Sequence, residues 1–358
     1  MSKILIITDS YPHPEKPYLT TFHHIHAKVL SRIGRVRVLT LIRGEKFGFR
    51  RYTWEGIEVE AFEMPYRKNA GAVFFPLSIL LHFILALKNL LGFRPDVTIF
   101  QMALPHGISY VPLKFLKKYI LIEHSSSAYR KNLFFQKLVT GGASLRYTVS
   151  SFYKNRLEEA LGIKFHGIIP NPVPRYNWNC PFSGKKVIFA GRLDENKSPH
   201  LFILAAKLLP ELEFHLIGED TKTSYSRKIL NDLPRNVIYH GPLSHKETLK
   251  MLCKSDIFVS TSKFETFGYA IAEALALGKP VVWTDSGGPR DFLNEKNSIQ
   301  IKERTPESVA EAITIALDKL NNNYFDPGKI REGILRYAGV EVVESKYRKA
   351  IESIMKET

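Results

Sequence analysis

Glu265 and Glu273 stand eight positions apart in the run Lys263-Phe264-Glu265-Thr266-Phe267-Gly268-Tyr269-Ala270-Ile271-Ala272-Glu273-Ala274-Leu275-Ala276-Leu277-Gly278. One precedes a glycine in a loop and the other sits inside an apolar helical stretch. Gly268 permits a close backbone approach to a ligand, and a helix starting there directs N–H groups and the positive end of its dipole at one point. Such a site suits an anion with hydroxyl-bearing groups on both sides, because ionised carboxylates only accept and sugar hydroxyls donate. A nucleoside diphosphate sugar has that layout. A single glutamate is most often a solvated surface charge, but Glu273 is flanked by Ala270, Ile271, Ala272, Ala274 and Leu275. A carboxylate in that setting needs a partner.

A second stretch, Lys186-Val187-Ile188-Phe189-Ala190-Gly191-Arg192-Leu193-Asp194-Glu195-Asn196-Lys197-Ser198-Pro199, reads as a strand, a tight glycine turn and a helix start. Ser198 is the expected N-cap, with Pro199 at the first helical position. Arg192 and Lys197 therefore emerge from one loop. A guanidinium grips phosphate oxygens in bidentate fashion, while an ammonium neutralises charge at a point.

The glutamate spacing, the small-residue helix, Gly278, the Pro280-Val281-Val282 strand and the Gly287-Gly288 pair resemble retaining glycosyltransferases of family 4, which have the GT-B fold. The resemblance implies an α/β protein of two Rossmann-like domains facing each other across a cleft. It implies that Arg192 and Lys197 bind the donor diphosphate and that Glu265 contacts the donor sugar. Glu273 would accept from the ribose, and the backbone N–H groups of Phe267, Gly268 and Tyr269 would hold phosphate. Thr266, Phe267 and Tyr269 are expected to line the sugar pocket. Gly218 ends a strand where a ligand meets an open sheet, and the loop Gly241-Pro242-Leu243 would border the nucleobase.

The first half of the chain matches the family less well. Glu123-His124-Ser125 resembles the family's active-site histidine segment and puts His124 near the transferred sugar. Thr20 stands where the family usually has a phosphate-facing glycine. With no Asp-x-Asp signature flanked by strands and no His/Cys cluster at metal-ligand spacing, Arg192, Lys197, Glu265 and His124 are the expected catalytic set. No cofactor and no metal are expected, the nucleotide sugar being a substrate.

At 358 residues the chain is long enough for two domains. Strands are expected at 3–8, 37–42, 96–101, 119–123 and 146–150 and helices at 20–33, 73–91, 132–140 and 152–161, followed by further strands at 186–190, 213–217, 237–239, 257–260 and 280–283. The prolines of Ile169-Pro170-Asn171-Pro172-Val173-Pro174 mark an extended connection. The expected domains are 1–170, binding acceptor, and 171–341, binding the nucleotide sugar, with a helix at 342–358 packing back on the first.

The net charge of +16 is uneven: residues 1–170 carry 24 Lys/Arg against 11 Asp/Glu, and residues 171–358 carry 27 against 24. The basic half suits an anionic partner such as a membrane surface or a lipid-linked phosphate, with Lys114, Lys117, Lys118, Arg130 and Lys131 the cluster closest to His124. The apolar stretch 70–93 approaches the length of a membrane span, but Pro76, His82 and Lys88 interrupt it, favouring a helix covering a sheet or lying in a membrane interface. Two cysteines, Cys180 and Cys253, imply no disulfide framework and point to the cytosol. The apolar run Ile4–Ile7 is too short for a signal peptide.

Together these readings predict a metal-independent hexosyltransferase. It would move a sugar to a glycan or lipid-linked acceptor in bacterial-type envelope polysaccharide, lipopolysaccharide or glycolipid synthesis, in the cytoplasm or peripherally on the inner face of the plasma membrane. The rivals are a nucleotide-sugar epimerase or phosphorylase-like enzyme of the same fold, and a basic nucleic-acid- or membrane-binding protein with a vestigial donor site. No aromatic-basic interleaving favours nucleic acid. No Gly-x-Gly-x-x-Gly follows either first strand, which disfavours a dinucleotide-dependent oxidoreductase.

Overall fold

The computed structural model describes residues 2–16, 21–65, 71–104, 106–124 and 133–356. The chain forms two compact units, Met1–Pro172 with Val340–Thr358, and Val173–Gly339.

In the first unit the elements run β1 (Ser2–Ile7), α1 (Thr21–Ser31), β2 (Gly34–Gly44), β3 (Gly48–Trp54), β4 (Ile57–Pro65), α2 (Gly71–Gly92), β5 (Val97–Gln101), a 3-10 segment (His106–Phe115), β6 (Tyr119–Glu123), α3 (Leu133–Gly142), β7 (Leu145–Thr148), α4 (Ser151–Leu161) and β8 (Gly167–Ile168). They make an eight-stranded sheet in the order β3-β4-β2-β1-β5-β6-β7-β8. Every neighbouring pair is parallel except the β3–β4 hairpin. The strands β5 and β6 are buried along their whole length, which explains the apolar run Tyr119–Ile122 and the apolar Val97, Ile99 and Phe100. The hairpin was not anticipated. Its turn uses Glu55 and Gly56, both at positive φ (43° and 86°), and its edge strand alternates half-buried with exposed residues, including Arg51.

In the second unit β9 (Lys186–Ala190), α5 (Pro199–Leu208), β10 (Glu213–Ile217), α6 (Ser224–Asn231), β11 (Val237–Tyr239), α7 (His245–Lys254), β12 (Ile257–Ser260), α8 (Tyr269–Ala276), β13 (Val281–Thr284), β14 (Ser298–Ile301), α9 (Pro306–Asn321) and α10 (Pro327–Ala338) follow one another. The sheet is wholly parallel, in the order β11-β10-β9-β12-β13-β14. The last helix, α11 (Val340–Lys356), belongs to the first unit. It buries Tyr347, whose hydroxyl lies 2.7 Å from His26 Nδ1 of α1, and its Lys346 Nζ donates to Ile168 O at 3.0 Å.

Two sequence expectations are corrected. Cys180 and Cys253 form a disulfide; the partners are 73 residues apart, a pairing that spacing alone does not reveal, and the cysteine count no longer argues for a reducing compartment. Ser198 sits at the head of α5, but its left-handed backbone (φ 49°) turns the hydroxyl to Glu195 O at 2.8 Å, so it does not cap the helix. Around Cys180 the chain is tied down further. Lys279, 1% exposed, donates from Nζ to Cys180 O and Pro181 O at 3.1 and 2.9 Å.

Candidate active site

In the second unit β9 lies between β10 and β12, so the chain leaves the adjacent carboxyl ends of β9 and β12 in opposite directions. Open parallel sheets form their ligand crevice at such a switch point. The loop after β9 carries Arg192 and Lys197, and the loop after β12 carries Glu265 and Gly268. These loops meet: Lys197 Nζ lies 2.5 Å from Glu265 Oε1, and Ser262 Oγ donates to the same oxygen at 2.7 Å. A small cavity of about 10 Å³, room for about one water molecule, is lined by Lys197, Ser260, Ser262, Glu265 and Gly268.

The backbone explains the meeting. Gly191 N donates to Ile217 O and Gly218 N to Gly241 O, both at 3.0 Å, stitching three strand ends together. A Cβ on Gly218 would lie 1.9 Å from Gly191 O, so only glycine allows this approach. Across the crevice, Glu265 N donates to Ser286 O at 2.8 Å and Gly288 N to Glu265 O at 3.0 Å, fixing the Glu265 backbone on both sides. Arg304 locks the loops together from behind. Its guanidinium reaches Ser262 O at 3.0 Å, and Ser198 Oγ and Thr261 O at 2.9 Å.

Gly268 heads α8 in the left-handed region (φ 87°), and the first intrahelical bond is Ala272 N to Gly268 O at 3.0 Å. The amides ahead of it lie at the open end of the helix beside Lys197 and Glu265. The Phe267 side chain does not line this end, contrary to expectation: it is 1% exposed and packs against Phe292 at 5.2 Å between ring centroids. Tyr269 begins the helix, and burial together with the Glu273 charge raises its phenol pKa well above the usual value. Leu243 is half-buried just before Ser244, which caps α7.

Glu273 is 4% exposed and finds its partner in His245 at the start of α7, through a hydrogen bond from His245 Nε2 to Glu273 Oε1. Tyr176 is close enough for the Glu273 charge to raise its pKa, after burial, and its buried hydroxyl has no hydrogen-bond partner among the described residues. Arg192 is two-thirds exposed and pairs with Asp194 at 3.0 Å. His245, Ser262, Arg304 and Tyr176 were missed by sequence reasoning. His245 lies 28 residues before Glu273 and Arg304 lies 106 after Ser198, so no local pattern links them.

His124 belongs to the first unit. It ends β6, is 6% exposed, and lies in a cluster with His23 (5.4 Å) and His26 (5.1 Å) of α1. Among the described residues neither ring nitrogen meets hydrogen-bond geometry, although Asn171 lies close enough to act on the ring. His23 Nδ1 meets Thr8 Oγ1 at 2.7 Å, and His26 Nε2 meets Asn171 Oδ1 at 3.0 Å. Burial lowers all three pKa values, His23 to about 4 and His26 to about 3 from 6.5. Thr20, Arg130 and Lys131 lie outside the described residues. Among the described residues, no three His, Cys, Asp or Glu side chains are placed to hold a metal ion.

This cluster should make the protein acid-sensitive. Below pH 6.5 the unfolded chain protonates these histidines while the folded protein leaves them neutral, so stability falls as pH drops from 6.5 towards 4. Each unit of depression is worth about 1.4 kcal/mol, so His23 alone contributes a loss of about 3 kcal/mol by pH 4. Denaturant unfolding at a series of pH values should show this slope, and His23→Gln should flatten it. A wild-type stability unchanged between pH 7 and 4.5 would contradict the burial argument.

Residues 178–324, which contain both cations and both glutamates, match the family of glycosyl transferases group 1. This match lies wholly within the second unit. The chain is 29% identical over 133 residues to a GDP-mannose-dependent alpha-mannosyltransferase of Corynebacterium glutamicum, covering 37% of this chain and 31% of that protein. It is 30% identical over 142 residues to the lipopolysaccharide core biosynthesis glycosyltransferase LpsE of Rhizobium meliloti, covering 39% and 42%. The matched segments thus span less than half of these relatives. Among solved structures, sucrose-phosphate synthase from Thermosynechococcus elongatus superposes with a TM-score of 0.80 at 16% identity over 100% of both chains. HepE of Anabaena, in complex with UDP and glucose, gives 0.76 at 16% identity over 99% of this chain and 100% of that one. The fold is the GT-B fold, and the segment similar to group 1 glycosyl transferases lies in its second Rossmann-like unit.

Proposed function

We propose that this chain is a retaining, metal-independent glycosyltransferase that moves one sugar from a nucleoside diphosphate sugar to a glycan or lipid-linked acceptor. The observation that carries the reading is the Lys197–Glu265 pair at the β9/β12 switch point beside the open start of α8. Lys197, Arg192 and the α8 amides meet the diphosphate, whose negative charge grows as the anomeric C–O bond breaks and its electron pair passes to the leaving phosphate. Glu265 accepts from the sugar hydroxyls and Glu273, oriented by His245, from the ribose. The acceptor oxygen then bonds to the anomeric carbon on the face the diphosphate leaves, and its proton passes to a donor phosphate oxygen. Retention rests on the family 4 resemblance. His124 acts near the transferred sugar and the first unit binds the acceptor.

The lipopolysaccharide core relative supports envelope polysaccharide, lipopolysaccharide or glycolipid synthesis as the setting, and the location we propose is the cytoplasm or the inner face of the plasma membrane. No helix among the described residues is long and apolar enough to cross a membrane.

Incubation with donor and acceptor tests the reading. Free nucleoside diphosphate and glycosylated product should accumulate together, and turnover should survive exhaustive chelation because Arg192 and Lys197 supply the cationic charge. Release of an epimerised nucleotide sugar without free nucleotide would favour the epimerase, and an activity restored only by added magnesium or manganese would sink the metal-independent scheme.

A further inference from the structure

Helix α3 exposes most of its apolar residues and sends only Val139 of them into the core. A surface helix normally buries its apolar stripe and exposes its polar one. Here Gln136 and Thr140 are fully buried, Gln136 donating to the buried Glu123 Oε2 at 2.9 Å. Phe134 is 73% exposed, with Phe135 and Leu138 also facing outward. The preceding 3-10 segment ends in a comparable tip, where Phe115 is 85% and Leu116 61% exposed. The two features adjoin, since a Cβ added to Gly142 at the end of α3 would touch the Lys114 side chain at 3.4 Å.

The charge of this region is mainly positive, with Asp96 beside Lys114, Lys117 and Lys118 at the tip. Residues 101–150 contain seven Lys/Arg and a single acidic residue, Glu123, which is 0% exposed. Lys137 is exposed on α3 itself, and Lys114 and Lys117 flank the Phe115–Leu116 tip. The interruptions of α2 argue in the same direction. His82 is buried and bonded to Ser109 Oγ at 2.7 Å, while Leu80 (54%) and Ile84 (45%) face out.

We infer that the surface formed by α3 and the Phe115–Leu116 tip docks on an anionic bilayer, a partner that deepens the function proposed above and rests on its lipid-linked acceptor. Aromatic and aliphatic side chains would enter the interface while the lysines stay at the headgroups. A second copy of this chain fits poorly, because a two-fold contact through this face would bring lysines against lysines. The exposed leucines and phenylalanines, without interleaved acceptors, also fit a nucleic acid poorly.

The test is co-sedimentation of the full chain with vesicles of phosphatidylcholine alone, or of phosphatidylcholine mixed with phosphatidylglycerol, at low and high salt. Recovery should require phosphatidylglycerol and fade with salt. The pairs Phe134→Ser with Leu138→Ser and Lys117→Glu with Lys137→Glu should each reduce binding about tenfold or more, with the thermal midpoint and its shift by nucleotide sugars unchanged. Equal recovery with both vesicles, or wild-type binding by both double variants, overturns the proposal. So does a dimer in light scattering that Phe134→Ser dissociates while vesicles recover nothing. A wild-type chain that binds anionic vesicles but no nucleotide sugar would instead count against the donor site and leave this surface standing.

Discussion

Lys197→Ala and Arg192→Ala should each lower turnover about a hundredfold or more, the usual consequence of removing one preorganised donor to a developing charge. Folding should hardly change. Arg192 is two-thirds exposed and its partner is the neighbouring Asp194. Lys197 lies on a loop that keeps its shape through backbone bonds such as Ser198 N to Asp194 O at 3.0 Å. Removing the ammonium still leaves Glu265 its bond from Ser262 Oγ at 2.7 Å, so the carboxylate is not stranded. The loss should therefore fall on kcat, because the charge these cations meet is larger in the transition state than in the bound donor. Steady-state kinetics on purified variants with unchanged unfolding midpoints decide the point. Near-normal turnover in both would remove the diphosphate role from this loop.

The second large effect separates the two glutamates. Glu273→Gln should weaken binding of the free nucleoside diphosphate about tenfold or more, since a hydrogen bond to a charged group is worth about 1.5–3 kcal/mol. The ribose is common to donor and free nucleotide, so both weaken together. Glu265→Gln should weaken the nucleotide sugar and spare the free nucleotide, because the proposed partner of Glu265 is the sugar and its carboxylate pairs with Lys197 at 2.5 Å. Titration calorimetry with both ligands reads the division directly. Equal weakening of the free nucleotide by both substitutions would show that the ribose and sugar roles are misassigned.

Much of this was legible because burial leaves a plain trace in sequence. In the second unit β9, β10 and β12 fall where apolar runs stand between turn residues, since strands buried on both faces cannot alternate. The β3–β4 hairpin escaped because Arg50, Arg51 and Glu58 interrupt its apolar residues, and its positive-φ turn at Glu55-Gly56 lacks the usual Asn or Asp. Lys197 and Glu265 were nominated separately by type and resemblance. Their contact depends on which strands neighbour in the sheet, and sequence order does not state that. The same holds for His245 with Glu273, for Arg304 behind the loops and for the Cys180–Cys253 bond. Helix α3 shows the opposite trace: Gln136 is buried beside Val139, donating to Glu123, while Phe134 and Leu138 face outward.

The central claim is that the β9/β12 crevice of the second unit holds a nucleoside diphosphate sugar, and thermal unfolding against a panel of such sugars tests it most directly. GDP-mannose and UDP-glucose come first, given the GDP-mannose-dependent relative and the UDP-bound structural neighbour. At a hundred times its dissociation constant a true donor stabilises the fold by about 2.7 kcal/mol, and that shift should shrink in Glu273→Gln. A panel in which no nucleotide sugar shifts the transition, or in which the shift is the same in wild type and Glu273→Gln, would contradict the account.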